Sequence, residues 1–406
     1  MEDNQELYGE NRPEEENTEN IEQQDRVSDL PETNKKKKKR RTWLIIPIIL
    51  LVLILVAVIS AVIFVKQYFD YNYKEITSNP QDLGFEEVIE EKIINVALFG
   101  IDTRNEKSFS GRSDSIMILS INQKTKEIKL ISVMRDSFVP IDHKGKITYN
   151  KINNAYAKGG PELAVKTLNT VFGLDISEYA TVNFYGMADI IDSVGGIEAN
   201  ITQSEVKYIN YGVGDHCLRL GLNAKDYEVK SAGTQHLNGI QAVAYSRIRY
   251  VSNAEGESND YGRTDRQRHV LNQLFQKAKA LDKSKYPAVI KAALPCCETS
   301  LSYTEILDLA LSVMLKSPTF KETRVPDTKY IMKAPKTSAG SIVYYDLNFA
   351  ANLIHSFIYD GILPEDYIKE NGIEKYDWYN KGYKPPVFND TKNEETVSQS
   401  ASDSSD

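Results

Sequence analysis

The sequence predicts a layered α/β domain, in which helices cover a central sheet, preceded by one transmembrane helix. Apolar runs of β-forming residues alternate with helical patterns, and one uncharged run is long enough to cross a bilayer. The 406 residues, with 41% hydrophobic residues and a net charge of −8, allow one large domain with extensions or two modest domains. The order of the predicted elements therefore decides the organisation.

Residues 43–65 (WLIIPIILLVLILVAVISAVIFV) contain no charged side chain, and a helix of this length crosses a hydrocarbon core of about 30 Å. The basic run KKKKKRR directly before it predicts a cytoplasmic amino terminus and an extracellular remainder of the chain, by the positive-inside rule. A cleaved signal peptide has a shorter apolar part and a small-residue cleavage site, which does not follow here. A nucleic-acid role for the basic run is the other alternative, but its position against the apolar run favours membrane anchoring.

The composition of the remaining chain predicts further boundaries. Residues 1–42 and 381–406 are polar and are predicted to be disordered tails, the first cytoplasmic and the second extracellular. Residues 66–92 mix aromatic and charged side chains with turn signals, which is typical of an extracellular stalk. The folded domain is predicted over residues 93–380, with a helical extension at its carboxyl end.

The first part of this domain alternates strands with helices. IINVALFGID predicts a strand ending at Asp102, and SIMILSIN and EIKLISVM predict a hairpin around a polar turn. PELAVKTLNTVFGL begins with Pro161 at a helix start and closes with Gly173. EYATVNF is then predicted as a strand, YGMADIIDSVGG as a helix and IEANI as another strand.

A second helix has clear signals at residues 264–281. Thr264 is predicted as its N-cap, with Gln267 completing a capping box and an apolar stripe following. Further helices are predicted at residues 303–315 and 349–359.

The chain has three cysteines, Cys217, Cys296 and Cys297. An extracellular location permits a disulfide, and adjacent cysteines bridge poorly, so we expect Cys217 to pair with Cys296 or Cys297. No cysteine or histidine spacing matches a zinc site, and the histidines are scattered.

Charged residues cluster at the predicted strand ends. Asp102 ends the first strand, Arg112 and Asp114 begin the second, and Arg135 follows the third. If the second and third strands form a hairpin, Asp114 and Arg135 share one edge of the sheet, and Asp102 joins them if the first strand is parallel to the third. Carboxylates together with substrate phosphates are typical of a magnesium site, and arginines bind phosphate oxygens.

Further arginines come from distant sequence. Arg247 and Arg249 lie two residues apart, which places both on one face if the segment is extended, and Arg263 and Arg266 flank the start of the helix at residues 264–281. Together with the carboxylates they predict a pyrophosphate site. The alternative is a set of ordinary salt bridges at strand ends, each contributing about 0–1 kcal/mol. The motifs of P-loop proteins, zinc proteases, α/β-hydrolases and dinucleotide-binding folds are missing, which disfavours those enzyme classes.

Several motifs in one order resemble the LytR-CpsA-Psr family of Gram-positive cell-wall enzymes. The matching segments are GIDTR, GRSDSIM, SVMRDSFV, KINNAYAKGG, ELAVKTLNTVFGL, GGIEANI, LNGIQAVAYSRIR and YGRTDRQRHVL, within residues 93–282. The resemblance implies a three-layer α/β/α domain with a central mixed sheet. It also implies a membrane-anchored phosphotransferase that moves an anionic glycopolymer, such as teichoic acid or capsule, from undecaprenyl pyrophosphate to peptidoglycan and forms a phosphodiester.

The resemblance further implies roles for individual residues. Asp102 and Asp114 are expected to bind Mg²⁺, and Arg112, Arg135 and Asp114 to be catalytic. The pyrophosphate is expected to contact Arg112, Arg135, Lys166, Arg247, Arg249, Arg263 and Gln267. The family's apolar tunnel for the polyprenyl chain is expected as well. The polar loop YVSNAEGESNDYG and the region of Cys217 depart most from the family pattern.

Two other functions stay open at this point. One is a regulatory protein that binds polyprenyl phosphates without transfer; its cytoplasmic tail is acidic and has no helix-turn-helix pattern, which disfavours direct DNA binding. The other is pyrophosphate hydrolysis, with water in place of the sugar hydroxyl. The general base and the transferred polymer are not assigned by the sequence.

Overall fold

The computed structural model describes residues 71–371, apart from residues 104, 106, 317, 328–329 and 333–335. The predicted membrane span and the two predicted tails lie outside the described residues. Within the described part of the chain, no helix is both long and apolar enough to cross a membrane.

The described residues form thirteen strands, numbered along the chain. They are β1 (Asn72–Tyr73), β2 (Ile93–Ile101), β3 (Ser113–Asn122), β4 (Glu127–Val133), β5 (Phe138–His143), β6 (Lys146–Lys151), β7 (Glu178–Asn183), β8 (Ile197–Ile201), β9 (Gly233–Leu237), β10 (Cys297–Thr299), β11 (Thr319–Val325), β12 (Ile331–Met332) and β13 (Tyr344–Tyr345).

The α-helices of the same residues are numbered in the same way. They are α1 (Asn153–Phe172), α2 (Phe184–Ser193), α3 (Gln203–Leu220), α4 (Gly239–Ser246), α5 (Asn259–Ala280), α6 (Tyr286–Ala293), α7 (Tyr303–Lys316), α8 (Leu347–His355) and α9 (Pro364–Glu370).

A mixed seven-stranded sheet lies at the centre, in the order β1-β10-β7-β2-β3-β4-β11. β3 is antiparallel to both β2 and β4, so β2 and β4 run in the same direction. β7 is parallel to β2, and β11 is parallel to β4. The predicted α/β class, mixed sheet and hairpin are confirmed. The carboxyl ends of β2 and β4 therefore lie on the same side of the sheet as the start of β3.

Helices lie on both faces of the sheet, and the two faces differ in packing. On one face α1 packs closely, with the rings of Phe99 and Tyr156 in an edge contact at 5.0 Å. This contact belongs to the larger hydrophobic cluster, which joins the sheet to α1 and α8. The second cluster is built from α2, α3, α4 and the β8–β9 hairpin, with Val270 of α5. The sheet contributes no buried side chain to that second cluster among the described residues.

The described part of the predicted stalk packs with the domain. β1 pairs with β10 at the edge of the central sheet. Ile76 and Leu83 are buried in the larger hydrophobic cluster. The folded unit thus includes residues before Ile93.

The helix predicted to start at Thr264 begins earlier, at Asn259, so the predicted N-cap and capping box are wrong. Asn253 closes the preceding loop, because its side chain accepts a hydrogen bond from the Glu257 amide at 2.7 Å. The helix begins directly after this loop. Thr264 lies inside the helix, where its hydroxyl donates to the Asp260 carbonyl at 2.7 Å. Five residues are added before Thr264, and they carry part of the site.

The predicted strand IEANI is confirmed as β8, and among the described residues it pairs with β9 rather than with the central sheet. The expected disulfide is corrected. The three cysteines are free thiols, so the expected disulfide is absent from the described residues. Cys217 is buried in the second cluster. Cys297 lies in β10, which pairs with β7, and forms no disulfide with Cys217.

Candidate active site

The end of β4 and the start of β3 bring an arginine and an aspartate together. Arg135 Nη1 donates to Asp114 Oδ1 at 2.6 Å, and both side chains are mostly buried. They line a cleft of about 610 Å³. The residues that line this cleft are Asp102, Arg112, Asp114, Arg135, Asp136, Asn150, Lys151, Asn153, Asn154, Ser338 and Ala339. Asp102, Arg112, Asp114 and Arg135 are therefore brought together, as the strand order predicts.

Three of the predicted arginines converge on one carboxylate, that of Asp260 in the first turn of α5. Its oxygens lie 2.9 Å from Arg249 Nε, 3.3 Å from Arg263 Nη2 and 3.7 Å from Arg135 Nη2. We call Arg135, Arg249 and Arg263 the arginine cluster. The Nε atom of each of the three is buried without a hydrogen-bond partner in the described structure. Arg249 Nε still faces Asp260 as an ion pair, so the donors left for an anion are Nε of Arg135 and Nε of Arg263.

The ionisation of this group follows from burial and mutual charge. Burial alone opposes the charge of Arg135, but Asp114, Asp260 and Asp136 outweigh it and raise the pKa of Arg135. Burial, helped by the repulsion of Arg135, lowers the pKa of Arg263 to about 10. Both arginines stay cationic at neutral pH.

The two aspartates of this group differ in their ionisation. Burial and the hydrogen bond with Asp260 raise the pKa of Asp136. Burial also opposes ionisation of Asp260, but the charge of Arg263 and the hydrogen bond from Asp136, with Arg135 and Arg249, lower the pKa of Asp260.

Arg247 joins the same region from the end of α4, where it is the C-cap residue rather than part of a strand. Its guanidinium lies over the ring of Phe184, at 4.4 Å from the ring centre. It also lies 3.6 Å from Asp102 Oδ2 and 3.7 Å from Asp215 Oδ2. Arg247 is thus positioned beside the exposed Asp102 carboxylate.

Arg266 differs from the other arginines because it is fully buried. It forms a 2.7 Å ion pair with Glu205, and neither side chain has any exposed surface. Arg266 also donates to the carbonyls of Ile248 and Val251, at 3.0 and 2.8 Å. These carbonyls flank Arg249, so Arg266 fixes the segment that carries it.

An apolar cavity of about 230 Å³ separates the sheet from the second hydrophobic cluster. Side chains of β2, β3 and β7 line it on the sheet side, for example Leu98, Met117 and Val182. α2 and α5 line the helical side, with Met187, Ile190, Gln267, Val270, Leu271 and Leu274. Gln267 therefore faces this cavity rather than the cleft.

Lys166 is not brought to the arginine cluster. It lies on α1, forms a 2.7 Å ion pair with Asp142 of β5, and does not line the cleft. The structure thus gives this residue a partner on the neighbouring strand.

The expected Mg²⁺ ligands can be judged by their donor chemistry. Asp102 and Asp114 line the same cleft, and the Asp102 carboxylate is exposed. Among the described residues no group of three or more histidine, cysteine, aspartate or glutamate side chains could bind a metal ion. Two carboxylates fit a magnesium ion whose remaining ligands are water and substrate phosphates.

Asp136 follows Arg135 at the end of the third predicted strand, but the sequence assigns it no role, and it gives no role to Asp260 or to the amide side chains of the cleft. Asp260 had a usable signal, since it lies three residues before Arg263, the spacing of a helical ion pair. The polar residues that precede Asp260 in the sequence are typical of a loop, so no helix is predicted there. Asn153 and Asn154 begin α1, and nothing in their spacing distinguishes them from ordinary helix-start residues.

Comparisons with known proteins agree with this architecture. A sequence model described as the LytR_cpsA_psr family matches residues 60–350. The polyisoprenyl-teichoic acid–peptidoglycan teichoic acid transferase TagU of Enterococcus faecalis is 31% identical over 239 residues, which cover 58% of this chain and 71% of that protein. Biofilm regulatory protein A of Streptococcus mutans is 28% identical over 262 residues, covering 60% of each chain.

A solved structure shows the same fold. The crystal structure of TagV from B. subtilis is 25% identical, with a TM-score of 0.50, and the match covers 66% of this chain and 98% of that chain.

Proposed function

The chain belongs to the LytR-CpsA-Psr family, and from this premise we propose that it is a phosphotransferase of the cell wall. It moves an anionic glycopolymer, such as teichoic acid, from a polyprenyl pyrophosphate carrier to peptidoglycan and forms a phosphodiester. The name of the TagU relative supports this donor and acceptor.

One face of α5 carries the proposal. Arg263 lies near the helix start in the arginine cluster, Gln267 follows one turn later, and Val270, Leu271 and Leu274 continue along the apolar cavity. Positions spaced by three and four residues share a helix face. A ligand lying along this face would meet cationic donors first and apolar side chains next, which matches a pyrophosphate head and an isoprenoid tail.

The arginines would bind and polarise the pyrophosphate. Planar guanidinium groups form paired hydrogen bonds with phosphate oxygens and remain charged. As the bond between the two phosphates breaks, the arginine cluster and Arg247 would stabilise the charge that develops on the oxygens. Arg112 is exposed at the rim of the cleft, where it can contact an incoming phosphate.

Asp102 and Asp114 would hold Mg²⁺, which would neutralise phosphate charge when bound. Asp114 keeps its ion pair with Arg135, so one residue would link the cation site to the arginine cluster.

We also propose that residues 43–65 anchor the chain in the cell membrane, with the amino terminus in the cytoplasm and the domain outside. The apolar run and the preceding basic residues support this orientation. A membrane-anchored domain reaches both a lipid-linked donor and the wall.

A second candidate function is suggested by the name of the Streptococcus mutans relative, a regulatory protein. In that case the site would bind the lipid pyrophosphate and transfer nothing. Both candidates use the same cleft and cavity, so binding alone does not separate them.

Substitution of the ion pair tests the site assignment. Arg135→Ala and Asp114→Ala are expected to abolish transfer of a lipid-linked glycan to peptidoglycan oligomers, because each removes a group at the reacting phosphates. Lys321→Ala is the control, since Lys321 pairs with Glu127 at the other end of β4. Circular dichroism would check that each variant is folded. Normal transfer by a folded Arg135→Ala protein would refute the assignment.

A further inference from the structure

The acceptor hydroxyl must lose its proton when it attacks the phosphate. The carboxylates near the cleft differ in the groups that they contact. Asp114 is paired with Arg135 at 2.6 Å, and Asp260 binds the arginine cluster. Asp102 lies beside Arg247 and would hold Mg²⁺. Asp136 also lines the cleft and contacts Lys151 at 3.1 Å, but it is neither an expected Mg²⁺ ligand nor the carboxylate at the centre of the arginine cluster.

The cleft has a second set of side chains, which carry amides rather than charges. Asn150 ends β6, and Asn153 and Asn154 begin α1. We call these three residues the amide side. Amide groups donate and accept hydrogen bonds, as the hydroxyl and acetamido groups of a neutral sugar require. The amide side is suited to an acceptor sugar, whereas the arginine cluster is suited to the donor phosphates.

Asp136 connects the two parts of the cleft. One carboxylate oxygen lies 3.1 Å from Lys151 Nζ, beside the amide side, and the other lies 3.8 Å from Arg135 Nε. Its backbone carbonyl accepts a 2.8 Å hydrogen bond from the Val343 amide, which fixes the turn after β4. A hydroxyl bound on the amide side and a phosphate bound by Arg135 would therefore meet next to Asp136.

We propose that Asp136 is the general base that accepts the proton of the acceptor hydroxyl, from a peptidoglycan sugar bound to Asn150, Asn153 and Asn154. This inference rests on the proposed phosphotransferase function and adds the acceptor subsite to it.

The step balances as follows. The sugar oxygen forms a bond to the phosphorus that carries the glycopolymer, while its proton passes to the Asp136 carboxylate. The bond from that phosphorus to the bridging oxygen breaks, and its electron pair leaves with the polyprenyl monophosphate. Asp136 then releases the proton to solvent, to which its side chain is 14% exposed.

The surroundings of Asp136 strengthen it as a base. Burial and the hydrogen bond with Asp260 raise the pKa of Asp136, while Arg135 and Lys151 lower it and are outweighed. A carboxylate with a raised pKa takes a proton more readily. The charged groups that face it are Arg135, Lys151 and Asp260, with Asp102, Arg112 and Asp114 in the same cleft.

The test measures transfer by the full-length protein, in detergent, from a polyprenyl-pyrophosphate-linked glycan to peptidoglycan oligomers. Asp136→Asn keeps the size of the side chain and removes the proton acceptor. Its transfer rate is expected to fall by about 100- to 10,000-fold, with donor affinity unchanged. Asp366→Asn, the same change at an exposed position of α9, is the control.

The pH profile distinguishes a base from a merely structural residue. For the wild-type protein, the rate is expected to fall as the pH falls through the pKa of Asp136, because the protonated carboxyl group cannot accept a proton. Asp136→Asn should lack this acid limb, and Asp136→Glu should restore it. Asn154→Ala should raise KM for the acceptor and leave donor affinity unchanged.

Three results would overturn the inference. Asp136→Asn with normal transfer would exclude the base, and an equal loss of donor affinity and transfer would place Asp136 in the donor site instead. An unchanged acceptor KM in Asn154→Ala, with a normally folded protein, would remove the acceptor subsite. A wild-type protein that binds donor and transfers nothing would refute the proposed function itself, before any variant is compared.

Discussion

Asp260 shows how a single carboxylate makes a cluster of arginines compatible with burial. Three guanidinium groups within a few ångströms repel one another, and Asp260 compensates this repulsion while the anion is away. Its place in the first turn of α5 also suits the helix dipole. The bound pyrophosphate would take over part of this compensation.

Asp260→Asn therefore has a specific expected effect. The free energy of unfolding should fall by about 3 kcal/mol, because buried charges lose their partner. Added inorganic pyrophosphate should raise the Tm of this variant more than that of the wild-type protein, since the anion replaces the missing charge. Thermal unfolding with and without pyrophosphate measures both effects.

Asp366→Asn, on the surface of α9, is the matched control and should behave as the wild-type protein. An equal pyrophosphate shift in Asp260→Asn and the wild-type protein would contradict this account of the cluster.

At the residue scale, the sequence predicts contacts within neighbouring strands in detail, whereas it predicts the meeting of distant segments without the residues, such as Asp260, that join them. Asp114 and Arg135 meet because β3 and β4 form the hairpin that the apolar runs predict. Gln267 lines the apolar cavity one turn after Arg263, and its contact with a pyrophosphate stays a prediction. The earlier start of α5 makes Arg263 and Gln267 successive positions along one helix face, and that start was hidden by polar residues typical of loops.

At the scale of elements, α5 connects the arginine cluster with the apolar cavity. Leu271 lines the cavity from the helical side. Leu271→Trp would fill part of this space, and overpacking of this kind costs about 1–3 kcal/mol. We expect the affinity for a polyprenyl pyrophosphate to fall about tenfold or more, with the affinity for inorganic pyrophosphate unchanged.

Isothermal titration with both ligands separates the two effects. Leu218→Trp is the control, because Leu218 is 81% exposed on α3 and does not line the cavity. An equal loss of affinity for both ligands in Leu271→Trp would instead indicate a misfolded site. An unchanged affinity for the polyprenyl pyrophosphate would exclude this cavity as the lipid site.

The second connection between elements is the buried pair of Glu205 and Arg266. Glu205 caps the start of α3 by accepting from the Thr202 amide at 2.7 Å, and Arg266 reaches from α5 to the segment that carries Arg249. This pair fixes α3, α5 and that segment together.

Arg266→Met is expected to lower the free energy of unfolding by about 3–5 kcal/mol, because it leaves the Glu205 charge buried and unpaired. The double variant with Glu205→Gln should lose less than the sum of the two single changes. Denaturant unfolding of the three variants measures this coupling. Additive losses would show that the pair is not coupled.

At the scale of the whole molecule, the order of strands and helices was largely readable from apolar patterns. The placement of β8 outside the central sheet was not, because its sequence pattern does not reveal its partner. The outer strands β1, β10 and β11 are short or polar, so nothing in their composition marks them as part of the sheet. They join it through pairings over long sequence separation.

The chain combines an arginine cluster, an apolar cavity and a predicted membrane anchor. The first two share α5, and the third would bring them to a lipid-linked donor. The proposed function therefore requires transfer of the glycopolymer to peptidoglycan, and binding of the lipid pyrophosphate alone is not enough.

The most direct test is transfer by the full-length protein with Mg²⁺, a short polyprenyl-pyrophosphate-linked glycan and peptidoglycan oligomers, analysed by mass spectrometry. The account predicts a product in which the glycan is joined to peptidoglycan through one phosphate. Tight donor binding without any such product, across several glycans, would contradict it and favour a regulatory protein. Release of polyprenyl phosphate with water as the acceptor would contradict it in favour of a hydrolase.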